Sequence, residues 1–136
     1  MDSKLSLKRS LNHWTEEIGG VKFKLKYPSI EQGLKIERLK KDIYEFEYVP
    51  DKEEIQFKIK NINESKALEY KRYCIRVWIE DWEGMTEEGK PIKCELVNNE
   101  LEESLWWALV RDEILLNELF MVFKKEIDLT ETDKKK

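Results

Sequence analysis

The chain has 136 residues, 40% apolar and 40% charged, with 29 acids against 25 bases and a formal charge of −4. That length can bury a core in one domain without staples, and the Leu, Ile, Phe and Trp content excludes a wholly disordered chain. Acids and bases are interspersed, which argues against the basic face of a duplex-DNA binder, and no apolar run reaches the roughly 18 residues of a membrane span.

Residues 1–13 have weak periodicity and read as a flexible start, with Lys4, Lys8 and Arg9 forming a small basic cluster of the kind solvated tails carry. Order is expected from 14-WTEEI-18, followed by a turn at Gly19-Gly20 and by 21-VKFKLKY-27. In that last stretch Val21, Phe23, Leu25 and Tyr27 alternate with lysines, the period of a half-buried strand. Pairing Ile18 with Val21 across a glycine turn sets Trp14 opposite Leu25 and Glu17 opposite Lys22. It also sets Glu16 opposite Phe23 on the apolar face, so a helix over residues 4–18 is the alternative.

Pro28 ends the strand, and Ser29 with Gln32 forms a capping-box pattern at the head of 29-SIEQGLKIERLKKDI-43. The expected apolar stripe is Ile30, Leu34, Ile36 and Leu39, with Gly33 weakening the helix by roughly 1 kcal/mol relative to alanine. Alternation returns in 44-YEFEYV-49 and, after 50-PDKE-53, in 55-IQFKIKNI-62. The outward charges read Lys, Glu, Lys over the three strands, which predicts the glutamate strand between the two lysine strands. Asn63 or Ser65 opens a helix over 64–83, striped by Ala67, Tyr70, Cys74, Trp78 and Trp82 and broadened by Leu68, Ile75 and Ile79, so two of its sides should be buried.

In 77-VWIEDWEGMTEEGKPIKC-94 the two tryptophans then share one helix side, Gly84 takes the C-cap and 86-TEEGKP-91 reverses the chain. Pro91 favours an extended passage from Ile92 to Leu96, and Asn98 or Asn99 caps another helix. The run 100–127 is helical with a break near Arg111–Asp112, and 128–136 is a polar frayed tail. The reading is a single α+β domain over 14–127: a small N-terminal antiparallel or mixed β-sheet with one helix, then a helical C-terminal half.

Chemistry is sparse. His13 is the only histidine, and no acid–base pair, metal cage or phosphate loop stands out. Asp81, Glu83, Glu87 and Glu88 cluster but lack the ligand spacing of a calcium loop. Cys74 and Cys94 match no metal or redox spacing and read as reduced thiols, as in a cytoplasmic protein. Neither an enzyme nor a cofactor is expected.

Val77, Trp82, Gly84, Thr86, Glu88, Gly89, Lys90, Pro91 and Ile92, in that order, resemble a motif of the tail assembly chaperones of long-tailed bacteriophages and prophages. The Gly-Gly hairpin and 21-VKFKLKYPSIEQGLKIERL-39 are similar too, so the resemblance spans roughly residues 14–127. Two features depart from the family: the tandem Trp106-Trp107, and the missing proline near Arg111–Asp112. The resemblance implies a non-virion protein of the host bacterial cytoplasm that coats the tape measure protein and helps recruit tail tube subunits. In such families a ribosomal frameshift often yields a longer form, and Lys134-Lys135-Lys136 could be encoded by a slippery run. The alternative is a tail completion or connector protein retained in the virion. Neither nucleic acid nor membrane is an expected partner.

Adjacent helical residues point about 100° apart, so Trp106 and Trp107 cannot share one narrow stripe. One is expected in the core with Leu105 and Leu109, the other at a rim. Leu115, Leu116, Leu119, Phe120, Met121, Val122 and Phe123 add more apolar surface than one face hides. Two readings follow: a wide buried helix, or a client or self-association surface for which Trp82, Trp106, Trp107, Leu116, Phe120 and Phe123 are the candidate protein-binding residues.

Overall fold

The glycine turn forms as expected: Gly19 and Gly20 take φ of 59° and 83°, and Ile18 bridges Val21. In a computed structural model, which describes residues 10–50 and 55–134, this turn joins β1 (Ser10–Trp14) to β2 (Lys22–Lys26). Residues 10–14 are thus strand, not helix, while residues 1–9 of the expected flexible start lie outside the described residues. The register differs from the simple hairpin. Trp14 stands opposite Lys24 rather than Leu25, because an irregularity in β1 shifts the pairing. Thr15 takes the place that Glu16 could not fill: its N–H donates to Phe23 O (2.8 Å) and its Oγ1 accepts from Phe23 N–H (3.1 Å). A one-residue slip moves side chains to the other face. Glu16 is accordingly exposed and Thr15 buried.

Ser29 caps α1 (Ile30–Ile43) with a complete capping box: Gln32 N–H donates to Ser29 Oγ and Ser29 N–H donates to Gln32 Oε1. The buried stripe is Gln32, Ile36 and Ile43, with Leu39 partly buried beside them. Ile30 (85% exposed) and Leu34 (62%) point to solvent, a correction to the expected stripe. The residue that displaces them is polar. Gln32 Nε2 donates to Asn99 O at 3.0 Å, a bond only the folded chain supplies.

β3 (Tyr44–Pro50) and β4 (Ile55–Ile62) pair with each other in a separate two-stranded ribbon. The turn expected within 50-PDKE-53 lies largely outside the described residues. The predicted order of charged strands is overturned: the glutamate strand lies beside one lysine strand only, and β2 finds its acids elsewhere. Lys22 stands opposite Glu83 and Lys24 opposite Asp81 on β5 (Ile79–Glu83). Cross-strand charge pairing, worth about 0.2–1 kcal/mol per pair, therefore operates with a partner from distant sequence.

Asn63 caps α2 (Glu64–Trp78), accepting from Lys66 N–H, but this helix stops five residues short of the expected end. The chain leaves directly into β5 through Ile79 at φ −77°, ψ 123°. Residues 75-IRVWI-79 are β-branched and aromatic apart from Arg76, a composition that suits strand as well as helix. The sheet decides between them: β5 completes the order β1-β2-β5 and sets Trp82 opposite Phe23. Trp82 is thus on a strand, and Trp78 and Trp82 do not stack along one helix. The helix end leaves carbonyls without intrahelical partners. Buried Lys26 meets one of them, donating from Nζ to Val77 O (2.8 Å) and also to Asn99 O (2.9 Å).

Two short hairpins follow. β6 (Thr86–Glu87) and β7 (Lys90–Pro91) flank Glu88 and Gly89 at φ 50° and 80°, so the predicted reversal holds. β8 (Leu96–Val97) and β9 (Glu100–Leu101) flank Asn98 and Asn99 at φ 53° and 65°. These asparagines are turn residues rather than helix caps, and Glu102 caps α3 (Glu103–Val110) instead. The break at Arg111–Asp112 is where it was expected, with Asp112 Oδ1 accepting from Ile114 N–H as α4 (Glu113–Lys134) begins. The helix runs on through 128–134, correcting the frayed tail to helical backbone.

Leu116, Leu119, Phe123 and Ile127 form the buried stripe of α4. Phe123 meets Phe23 edge-on at 5.0 Å, and Phe120 stacks on Trp78 at 5.7 Å. The molecule is α+β, with small antiparallel sheets and a helical C-terminal half.

Candidate functional site: a cationic aromatic cleft and exposed apolar faces

The conspicuous stretch from Val77 to Ile92 is structural in its contacts. Val77 is fully buried, and Trp82 donates from Nε1 to Ile92 O (2.8 Å) while packing edge-on against Phe23 at 6.5 Å. Gly84 has φ of 93°, and a Cβ there would sit 2.5 Å from Gly20 O, so the end of β5 closes against the first turn. Gly89, Lys90 and Pro91 belong to the β6–β7 hairpin and are exposed. A groove of about 490 Å³ runs beside this unit, lined in part by Met85, Ile92, Leu105 and Leu115.

Of the other candidate binding residues, Leu116 and Phe123 are fully buried, as Trp82 is nearly so, and their contacts are inside the fold. Phe120 is half-buried, with Tyr70 and Trp78 against its ring. Trp106 and Trp107 divide as their geometry requires. Trp106 turns inward, donating from Nε1 to Arg72 O (2.8 Å), and Trp107 remains 47% exposed at a rim.

Between α1, α2 and α3 these tryptophans wall a cleft of about 250 Å³. Arg72 and Arg76 lie one turn apart on α2, and each is held in two ways. The Arg72 guanidinium lies 5.2 Å from the Trp107 ring centroid and its Nε donates to Val110 O (3.3 Å). The Arg76 guanidinium lies 4.7 Å from the Trp106 centroid, with Nε donating to Leu101 O (3.0 Å). From α1, Lys35 Nζ sits 4.4 Å from the Tyr73 ring centroid. Glu100 pairs with Arg76 (3.5 Å) and Glu69 with Lys66 (3.4 Å). Among the described residues, Lys35 and Arg72 have no carboxylate partner. Burial first, then Glu100, pushes the Tyr73 phenol up to about 12, so it is neutral at ordinary pH.

Trp106 and Trp107 stand out in the sequence, but the cations beside them do not. Their signal was partial: Arg72 and Arg76 at i and i+4 mark one line on a helix, whereas the approach of α1 and α3 to that line is tertiary. His13 Nε2 contacts Glu126 at 2.8 Å, and that hydrogen bond, with one to Leu11 O, raises the imidazole pKa above its ordinary value. Cys74 and Cys94 are free thiols. Among the described residues, no cluster of His, Cys, Asp and Glu has the arrangement to hold a metal ion. Nor is any helix among them long and apolar enough to cross a membrane.

Apolar side chains are also exposed away from the cleft. Phe46 and Ile59, opposite each other in the β3–β4 ribbon, are each 56% exposed. Ile114 and Met121 stand out from α4. No protein family, curated protein or solved structure matches the chain.

Proposed function

We propose that the protein is a tail assembly chaperone of a long-tailed bacteriophage or prophage, a binding protein without catalysis. It coats the tape measure protein in the host cytoplasm and helps recruit tail tube subunits. The observation that carries this reading is the ordered series Val77, Trp82, Gly84, Thr86, Glu88, Gly89, Lys90, Pro91 and Ile92.

The distribution of exposed apolar groups supports an adhesive role. Ile30 and Leu34 on α1, Phe46 and Ile59 on β3 and β4, Trp107 on α3, and Ile114 and Met121 on α4 are spread over five elements. Such surfaces suit weak contacts with amphipathic segments, multiplied along a long client or between copies of the chaperone itself.

The test is co-expression with the tape measure protein encoded nearby. The client is expected to become soluble and to co-purify, and mass spectrometry of purified particles should find no copy of the chaperone in mature tails. A client that stays insoluble overturns the proposal. Stoichiometric retention in the virion overturns it too, and favours a tail completion or connector protein.

A further inference from the structure

Lys35, Arg72 and Arg76 are unusual on a chain of net charge −4, because three cations converge on one cleft. Like charges at i and i+4 on a helix disfavour each other. Arg72 and Arg76 nevertheless share that spacing on α2, and indole faces and backbone carbonyls hold both in place. Each Nε is engaged with a carbonyl, which leaves the terminal guanidinium nitrogens as the donors available to a ligand. Arg76 already has Glu100, while Arg72 and Lys35 have no carboxylate among the described residues. The two groups come from different helices and line the same cavity.

We propose that this cleft binds an acidic segment of a partner protein, one of whose carboxylates sits between Arg72 and Lys35 while its apolar neighbour lies on Trp107 and Leu39. The carboxylate completes a forked pair with the guanidinium, and Lys35 adds a second charge-assisted bond. Charge complementarity selects this occupant. Lys35, Arg72 and Arg76 against Glu69 and Glu100 leave one positive charge at the cleft, which one carboxylate neutralises and a dianionic phosphate exceeds. A nucleic acid backbone, in turn, requires a basic track rather than an isolated pocket on an acidic surface. The cleft's cations are oriented before binding, which reduces the ordering that association must oppose.

This deepens the binding reading above and rests on it only in taking the occupant to be a protein. The probe is a short blocked peptide alternating glutamate with leucine, compared with its glutamine twin, inorganic phosphate and a mononucleotide. Binding to the full chain is followed by the indole N–H resonances of Trp106 and Trp107. The glutamate peptide is expected to bind, to weaken with salt, and to exceed its twin by about tenfold or more. Arg72→Gln should remove most of that preference. Lys35→Glu, a change at an exposed position that leaves the core intact, should remove it as well.

Equal binding of the two peptides, no binding of either, or an unchanged preference in Lys35→Glu overturns the inference. Tighter binding of phosphate or nucleotide than of the glutamate peptide also overturns it, in favour of a phosphate site. Peptide binding without rescue of the tape measure protein rejects the assembly function and keeps the cleft. Rescue without peptide binding does the reverse.

Discussion

Gly84 and Gly33 occupy opposite situations. Gly84 lies at φ 93° with a neighbouring carbonyl where a Cβ would go, whereas Gly33 is within a helix with open space around it. Gly84→Ala is expected to destabilise the fold by roughly 2–3 kcal/mol, since backbone strain and a backbone clash act together. Gly33→Ala should stabilise it by about 0.5–1 kcal/mol through helix propensity and a less flexible unfolded chain. Denaturant titration of both variants checks the contrast, and equal effects would contradict the close approach of Gly84 to Gly20. The sequence showed the glycine in each case. It could not show that the turn after β2's partner strand closes on the turn before β2, because that contact joins residues 64 positions apart.

Elements were legible where local rules act without competition. The capping box at Ser29, the glycine turn, the break at Arg111–Asp112 and the strands of the ribbon all depend on neighbouring residues, and all form. The end of α2 was not legible, because 75-IRVWI-79 satisfies both periods and the sheet offers Trp82 a place opposite Phe23. At the α3–α4 joint, Asp112 accepts from the N–H groups of Ile114 (2.9 Å) and Leu115 (3.3 Å) in place of the proline that the phage family resemblance leads one to expect. Asp112→Ala should lower stability by about 1 kcal/mol, whereas Asp112→Asn should retain most of the cap. Thermal melts of the two variants measure this, and similar losses for both would remove the capping role.

For the molecule as a whole, buried neutral acids set the alkaline limit. Burial pushes the thiols of Cys74 and Cys94 up to about 12, and it also raises the phenols of Tyr73, to about 12, and Tyr70. Each folded pKa exceeds its unfolded value, so the stabilisation is fully present below the unfolded value, about 8.5 for Cys and 10 for Tyr, and is lost as pH rises through the folded one. Lys26 works oppositely: burial lowers its pKa, so its unfavourable charging disappears as pH rises toward the ordinary lysine range. Four groups outweigh one, and Tm is expected to fall by roughly 5 °C or more between about pH 8.5 and 11. Cys74→Ala should flatten the early part of that decline. A pH-independent Tm across the window would contradict the burial of these groups.

By itself the sequence determined the α+β class, the turns at Gly19-Gly20 and 86–91 and the N-caps of α1 and α2, because each follows from one residue's conformational preference or from a hydrogen bond a few positions away. Only the tertiary structure decided which apolar residues are core. Leu116 and Phe123 are buried, the latter against Phe23 of β2, Gln32 displaces Ile30 and Leu34 from the buried face of α1, and Trp82 leaves the helix for a strand. It also brought Lys35, Arg72 and Arg76 into one cleft with Trp106 and Trp107. Burial is a property of what approaches an element from elsewhere, and periodicity along one element carries no record of the partner.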